Sequence, residues 1–381
     1  MISRYISGRD PASGKPLRLG VEDGEIRSID SGPADETAWL SPGFIDLQVN
    51  GYGGWDLNAD TVDADLVSAL ARKLLATGVT TFLPTIITAS EEQIIKALRA
   101  VARARQTDSL VAHAVPFVHV EGPHISVEDG ARGAHPREYV RPPDLSEFER
   151  WQAASCNLVG MVTVSPHWKN AAEYISALAA KGIVVAIGHT QATPAQIHQA
   201  VDAGAKLSTH LGNGVSAQLP RHPNLIWAQL ADDRLRATFI ADGYHLPADT
   251  LKVMLRAKGI ERSILISDAV APAGMAPGTY HTSIGGRVEL RADGRLSMID
   301  TGFLAGAGRP LKDGIAQAAG SHVCTLGDAI RMATENPGRY VGNRGVLRPG
   351  AAADLVRFTL DTEQGGMRIL SVMVEGIEWP T

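Results

Sequence analysis

The sequence predicts an α/β fold: a (β/α)8 TIM-like barrel joined to a small β-sandwich domain built from both chain termini. Between residues 43 and 342, apolar strand-like runs alternate with helical patterns, which is typical of parallel pairing. Both ends of the chain instead carry short alternating segments punctuated by glycine, which favour antiparallel strands. We therefore expect residues 1–42 and 343–381 to form one domain beside the barrel.

The barrel elements follow one another along the chain in the order strand, then helix. A doubly wound open sheet is the alternative, but no GxGxxG motif opens a helix. After the eighth strand, a β-hairpin insertion near 277–300 is indicated by the turn at Ala292-Asp293-Gly294. The predicted strands are 44–50, 79–87, 114–120, 158–164, 183–187, 206–209, 236–240 and 264–267, and the helices are 65–77, 90–105, 144–154, 170–181, 194–203, 224–231 and 247–258, with an eighth near 311–319 or 326–334.

Composition narrows the class of protein. The 381 residues accommodate one barrel and a smaller domain. A net charge of −5 argues against a nucleic-acid partner, and no apolar stretch approaches the length of a membrane span. The first nine residues lack the apolar core of a secretory signal. Cys156 and Cys324 lie in no CxxC motif, so we expect free thiols in a reducing cytoplasm and no thiolate zinc site.

Four polar residues follow four predicted strands. Glu121, His189, His210 and Asp268 each stand where an apolar run ends. An eight-stranded parallel barrel gathers the carboxyl ends of its strands around one pocket, so these distant residues should meet there. Two imidazoles and two carboxylates in one pocket predict a metal-dependent hydrolase.

The chain contains an ordered set of short motifs: 42-PGFIDLQVNG-51, 83-LPT-85, 119-HVEGP-123, 133-GAH-135, 188-GHT-190, 209-THLGN-213, 241-ADGYH-245, 267-SDA-269, 271-APAG-274, 304-LAG-306 and 352-AADLV-356. Taken in this order, they resemble the N-acetylglucosamine-6-phosphate deacetylase family of the amidohydrolase superfamily. The resemblance extends from about residue 40 to residue 360. As an ordered set the motifs are specific, although each alone is weak.

The resemblance implies roles for the strand-end residues. Glu121, His189 and His210 would ligate one divalent metal, with Zn²⁺ expected ahead of Fe²⁺ and Co²⁺. Many amidohydrolases carry His-x-His on the first strand to help bind a second metal. Here Gln48 and Asn50 stand in those positions as a remnant, because amides are poor ligands for divalent metals.

The same resemblance implies a reaction and a substrate. Asp268 would take a proton from the attacking metal-activated water and pass it to the leaving amine, while His135 would contact the substrate carbonyl. N-acetyl-D-glucosamine 6-phosphate would yield glucosamine 6-phosphate and acetate. Arg221, reaching from the neighbouring subunit of a homodimer, and His245 would bind the phosphate. The remaining predicted substrate residues are Ala134, Asn213, Gly214, Leu304, Ala305 and Gly306.

The chain departs from the family pattern at several positions. Gly212 and Gly214 flank Asn213, which suggests a looser loop and a larger pocket. His222 replaces an acidic residue, and would either add a phosphate donor or mark a different anion. His167 follows the fourth strand, where it would be an extra ligand, a substrate contact or a structural residue.

Three classes of function remain open from the sequence. Within deacetylation, the sugar could be a galactosamine derivative or lack phosphate. A cyclic-amide hydrolase or N-acyl-amino-acid deacylase would usually need a bridging carboxylate or a carbamylated lysine. No lysine ends the fourth strand, since Lys169 lies beyond His167. A non-catalytic sugar-phosphate sensor would usually have lost a ligand or Asp268, and neither is missing.

Overall fold

The computed structural model describes residue 2, residues 4–361 and residues 366–380. In this part of the chain the strands are β1 (Arg4–Arg9), β2 (Pro16–Glu22), β3 (Glu25–Ser31), β4 (Trp39–Pro42), β5 (Phe44–Val49), β6 (Gly51–Tyr52), β7 (Trp55–Asp56), β8 (Val79–Ile87), β9 (Val118–Glu121), β10 (Val159–Val164), β11 (Val184–Ile187), β12 (Leu207–Ser208), β13 (Arg236–Ile240), β14 (Ser263–Ile266), β15 (Gly278–Thr282), β16 (Gly286–Leu290), β17 (Leu296–Met298), β18 (Leu355–Asp361), β19 (Gly366–Val374) and β20 (Ile377–Trp379).

The helices occupy the stretches between the barrel strands. They are α1 (Ala64–Leu75), α2 (Glu91–Thr107), α3 (Ser109–Ala114), α4 (Leu145–Ser155), α5 (Ala171–Ala180), α6 (Pro194–Asp202), α7 (Leu225–Ala231), α8 (Ala248–Lys258), α9 (Leu311–Gly320), α10 (Leu326–Met332) and α11 (Glu335–Gly338), with short 3-10 turns at Arg137–Tyr139 and Ile260–Arg262. Both segments predicted as alternatives for the eighth helix are helical, as α9 and α10. No helix among the described residues is both long and apolar enough to cross a membrane.

Eight strands form the parallel sheet of the barrel, in the order β5, β8, β9, β10, β11, β12, β13 and β14. The first and last strands meet where the Asp268 N–H donates to the Gln48 carbonyl at 3.1 Å and Val49 bridges Ala269. Asp46 reinforces this junction, because its Oδ1 accepts from the Ser267 N–H at 3.1 Å. The predicted barrel is confirmed.

Apolar residues fill both faces of the barrel sheet. Side chains of successive strand residues point to opposite faces, so Leu83 joins the cluster inside the barrel while its neighbour Phe82 packs against the surrounding helices. This arrangement explains why β8 is buried along its whole length. Helix α1 shows the complementary pattern, since its buried residues recur at helical spacing and face the strands.

The chain termini form a separate sheet, as predicted. Its order is β20, β19, β18, β4, β1, β2, β3, and β4 pairs with both β1 and β18. The sheet curls back on itself, because the Ile26 N–H in β3 donates to the Ala351 carbonyl just before β18, at 2.9 Å. The enclosed apolar cluster includes Leu19 and Leu40 from the first terminus and Leu355 from the second.

Polar contacts join the terminal sheet to the barrel. His113 Nε2 in α3 lies 2.8 Å from Asp354 Oδ2, next to β18, and Asp354 Oδ1 accepts from the Glu375 N–H at 2.9 Å. Arg344 donates to the His113 carbonyl at 2.7 Å. These contacts lie at the barrel side that carries the chain termini.

A three-stranded antiparallel insertion, β15, β16 and β17, follows the eighth barrel strand. A two-stranded hairpin was predicted for 277–300, and the structure has one additional strand. The insertion packs over the barrel through a cluster that includes Ile284, Val288 and Ala305. Ile284 of this insertion lines the pocket described below.

Candidate active site at the barrel mouth

Four buried side chains meet at the carboxyl ends of the barrel strands. Glu121 is the last residue of β9, and His189, His210 and Asp268 each lie two residues beyond the end of a strand. All four are at most 8% exposed. The fold therefore brings together the residues that the sequence selected.

Three of these residues have a left-handed backbone. The φ angles are 46° at His189, 29° at His210 and 52° at Asp268. A non-glycine residue in this conformation costs about 1–3 kcal/mol and persists where the surrounding structure enforces it, commonly at functional sites. The sharp turn at each strand end directs the side chain over the mouth instead of continuing the strand.

Glu121, His189 and His210 form a compact donor cluster. Glu121 Oε1 lies 3.0 Å from His210 Nε2 and 3.4 Å from His189 Nε2. The two imidazole Nε2 atoms are 3.1 Å apart, and the three donor atoms lie within 4.8 Å of one another. One carboxylate and two imidazoles, with space left for water, match the donor set of an open zinc-type site.

Hydrogen bonding leaves a lone pair on His189 where a metal needs one. His189 Nδ1 is 3.0 Å from the carbonyl oxygen of Ala131, which can only accept, so Nδ1 carries the hydrogen. In the neutral imidazole Nε2 is then the unprotonated atom, and it faces His210 and Glu121. Such an outer contact is how metal-bound histidines are oriented. The residues present thus fit a divalent cation.

The electrostatics of the cluster favour an ionised Glu121. Burial alone would raise the pKa of its carboxyl group, but the contacts with the His189 and His210 imidazoles hold that pKa well below the ordinary value. Burial would lower the pKa of His210, and the hydrogen bond to Glu121 raises it overall. Asp268 behaves differently, because burial and the nearby Glu121 charge raise its pKa to about 6.

The amides on the first strand hold the carboxylates. Gln48 Nε2 donates to Glu121 Oε1 at 2.9 Å and to Asp268 Oδ1 at 3.1 Å. Asn50 Nδ2 donates to the same Asp268 oxygen at 2.8 Å. Asp268 Oδ2 has no hydrogen bond within the described residues. The amides therefore fix the Asp268 carboxylate through one oxygen and leave the other toward the pocket.

A cavity of about 270 Å³ opens beside the cluster. Arg221 and Ala305 are the two predicted substrate residues that do not line it. Ala305 is fully buried beneath the wall, and Arg221 is exposed. The predicted residues at its surface are Asn50, Glu121, Ala134, His135, His189, His210, Asn213, Gly214, His245, Asp268, Leu304 and Gly306.

Two further histidines reach this cavity with their rings fixed from behind. His135 Nδ1 lies 2.8 Å from Thr88 Oγ1, and its Nε2 is 3.9 Å from Glu121 Oε2. Burial lowers the pKa of His135 well below its ordinary value, so the ring is neutral. His245 Nδ1 lies 2.8 Å from Asp242 Oδ2. In both cases Nε2 is the atom left for a ligand.

The remaining histidines of interest and Arg221 lie outside the cluster. His167 Nδ1 contacts Ser165 Oγ at 2.6 Å and its ring lies 4.5 Å from that of Trp168, which is a structural setting. Arg221 and His222 are exposed and make no hydrogen bond or ion pair with other described residues. Within a single chain, neither reaches the cavity.

The glycine loop that follows His210 does not enlarge the pocket as expected. Gly214 has φ 58°, and a Cβ atom there would lie 2.9 Å from His189 Nδ1. The Thr190 N–H donates to the Gly214 carbonyl at 3.1 Å. The missing side chain lets the loop backbone close on the imidazole, so it supports His189 directly.

Several contributors were not identified from the sequence. Thr88 and Asp242 orient the two outer histidines, and half-exposed Phe303 lines the cavity. Asp242 was recognisable, because an acidic residue at a strand end stands three positions before a histidine. Thr88 carries no such signal, since its partner His135 is 47 residues away.

A barrel with this donor cluster at its mouth has the architecture of a metal-dependent hydrolase. Residues 39–377 match the model of the amidohydrolase family. The chain therefore belongs to that family, whose members are metal-dependent hydrolytic enzymes, and it is an enzyme acting on a carbon–nitrogen amide bond.

Relatives with named activities extend over most of the chain. An N-acetylglucosamine-6-phosphate deacetylase of Bacillus subtilis is 31% identical over 364 residues, covering 91% of this chain and 89% of the relative. An N-acetylgalactosamine-6-phosphate deacetylase of Escherichia coli O157:H7 is 32% identical, covering 94% and 93%. The structure of the Mycobacterium smegmatis N-acetyl-D-glucosamine-6-phosphate deacetylase with its substrate superposes with a TM-score of 0.85 at 29% identity, covering 96% and 95%.

Proposed function

We propose that the protein hydrolyses the N-acetyl group of N-acetyl-D-glucosamine 6-phosphate, giving glucosamine 6-phosphate and acetate. The observation that supports this most is the convergence of Glu121, His189, His210 and Asp268 beside a cavity of about 270 Å³, large enough for the reacting end of a sugar. Relatives with this activity match 91–96% of the chain. The cytoplasm is the compartment in which we expect it to act.

One divalent cation per chain, Zn²⁺ in preference to Fe²⁺ or Co²⁺, is proposed for the Glu121, His189 and His210 cluster. When bound, such an ion activates water and polarises an amide carbonyl. Gln48 and Asn50 stand where a second cation would need imidazole ligands, and their amide nitrogens donate hydrogen bonds to carboxylates instead. This arrangement supports a single ion.

Asp268 is proposed to move the proton. Its Oδ2 is free, while Gln48 and Asn50 fix Oδ1, so the carboxylate is held in one orientation. A pKa of about 6 leaves the group mostly ionised at neutral pH yet basic enough to accept a proton from the attacking water. The same group then gives that proton to the leaving nitrogen, which balances the hydrolysis.

His135 is proposed to stabilise the carbonyl oxygen of the acetyl group. Its ring is neutral and buried, so Nε2 acts as a hydrogen-bond donor only if Nδ1 accepts from the Thr88 hydroxyl. A donor aimed at the developing oxyanion is typically worth about 3 kcal/mol. The Nε2 atom lies near Glu121, where the reacting carbonyl would be placed.

The sugar phosphate is proposed to lie along the cavity toward His245. Leu304, Gly306, Ala134, Asn213 and Gly214 line this cavity, and the fully buried Ala305 lies between the first two along the chain. Arg221 is exposed and has no hydrogen-bond or ion-pair partner among the residues that the structure describes, so it would bind phosphate in the active site of the other subunit of a homodimer.

N-acetylgalactosamine 6-phosphate is the second candidate substrate, because relatives with that activity are equally similar in sequence. Acetate release should be measured for both epimers, each with and without the 6-phosphate, on protein of known metal content. The proposal expects the 6-phosphorylated glucosamine derivative to have the highest kcat/KM. No activity on any of the four sugars would overturn it and favour an N-acyl-amino-acid deacylase or another amidohydrolase.

A further inference from the structure

We infer that Asp242 is a positioning residue that fixes the imidazole of His245 with Nε2 directed into the substrate cavity. This inference rests on the proposed function, since it concerns how the cavity holds the sugar phosphate. Asp242 lies two residues beyond the end of β13, so it belongs to the same ring of strand ends as the catalytic cluster. Asp242 is not part of the proposed metal-binding cluster, so metal binding gives it no role.

Both oxygens of the Asp242 carboxylate are engaged on the side away from the cavity. Oδ1 accepts from the backbone N–H groups of Tyr244 and His245, each at 2.9 Å. Oδ2 lies 2.8 Å from His245 Nδ1. The side chains of both residues are nearly buried, at 6% and 7% exposed. The carboxylate thus shapes the loop and fixes the ring at once.

The state of Asp242 determines which imidazole nitrogen carries hydrogen. Burial would raise the pKa of Asp242, but the hydrogen bonds from the His245 side chain and from the Tyr244 and His245 backbone hold it below the ordinary value, so the carboxylate is ionised and only accepts. Nδ1 must then be the protonated nitrogen, and Nε2 faces the cavity that His245 lines.

Asp242→Asn separates this role from loop support. The amide oxygen can still accept from the two backbone N–H groups, while the amide nitrogen now faces His245 Nδ1 and donates to it. Nδ1 of a neutral ring must then accept, so the hydrogen moves to Nε2. The fold should survive, whereas the tautomer of His245 should change.

A matched control exists elsewhere in the chain. Asp354 accepts from a backbone N–H through Oδ1 and contacts His113 through Oδ2 at 2.8 Å, but this pair lies between the barrel and the terminal sheet. Asp354→Asn makes the same chemical change away from the cavity. It should leave KM and kcat for the sugar phosphate unaltered.

The first readout is independent of activity. Nitrogen-15 NMR of histidine-labelled protein reports the tautomer, and the His245 signals are assigned from their absence in His245→Gln. The inference expects the Nδ1–H form in the native protein and a switch in Asp242→Asn. An unchanged His245 tautomer in that variant would overturn it.

The second readout is kinetic. We expect Asp242→Asn to raise KM for the phosphorylated substrate about tenfold to a hundredfold, the usual effect of losing a hydrogen bond to a charged group, with a smaller change in kcat. Asp242→Asn combined with His245→Gln should be no worse than His245→Gln alone, because Asp242 acts through that ring. Additive effects would overturn the inference. An inactive native protein would instead refute the proposed function, and the NMR result would still decide the role of Asp242.

Discussion

Replacing Gly214 with alanine should weaken metal binding by displacing His189. The new Cβ atom would lie 2.9 Å from His189 Nδ1, closer than side chains tolerate, so the imidazole or the loop must shift. Alanine at φ 58° costs about 1–2 kcal/mol, and losing the His189 hydrogen bond to Ala131 costs about 1 kcal/mol more. We expect unfolding free energy to fall by about 2–3 kcal/mol and metal affinity to fall roughly tenfold to a hundredfold.

Gly182→Ala is the matched control for this prediction. Gly182 has φ 78°, but apart from its two chain neighbours no described residue has an atom within 4 Å of the position its Cβ would occupy. It should lose similar backbone stability without any effect on metal affinity. Both variants should be measured by competition with a chromophoric zinc chelator and by denaturant unfolding. Equal metal affinity in the two variants would refute the reasoning about Gly214.

Three other changes test separate parts of the account. Asp268→Asn should lower kcat about 10²–10⁴-fold with full metal content, because the amide cannot accept the proton; retained kcat would contradict that role. Arg221→Ala should raise KM for phosphorylated sugars roughly tenfold to a hundredfold and leave the unphosphorylated sugar unaffected. Burial raises the pKa of Asp46 to about 7, which is above its value in the unfolded chain. The protonated carboxyl group therefore stabilises the folded protein at low pH, and this contribution is lost as the pH rises through 7. Between pH 5 and 8, the free energy of unfolding of the chelator-treated native protein should therefore fall by about 3 kcal/mol more than that of Asp46→Asn, as measured by urea unfolding. Parallel curves of unfolding free energy against pH for the two proteins would contradict this prediction.

The site residues that could be predicted from the sequence were those marked by a pattern in the neighbouring residues. A buried strand needs an unbroken apolar run, and a polar residue at its end stands out, which identified Glu121, His189, His210 and Asp268. The predicted barrel then implied that these four residues lie close together, because the strands of a parallel barrel have their carboxyl ends on one side. The same reasoning identified the terminal sheet from its alternating segments.

What could not be predicted depends on packing between distant segments. The contact of Thr88 with His135 and the closure of Gly214 on His189 are set by loop paths that no local pattern encodes. The glycines beside Asn213 were interpreted as added space for the same reason, since a sequence does not show which atoms fill it. The left-handed φ angles at the strand ends were also not predicted, because no local sequence pattern marks a histidine or aspartate after a strand as left-handed.

Metal titration of chelator-stripped protein, followed by acetate release from N-acetylglucosamine 6-phosphate, tests the central claim most directly. The cluster of Glu121, His189 and His210 predicts negligible activity without metal and a linear rise in rate that ends at one equivalent of Zn²⁺ per chain. A plateau at two equivalents, or full activity in the stripped protein, would contradict the account.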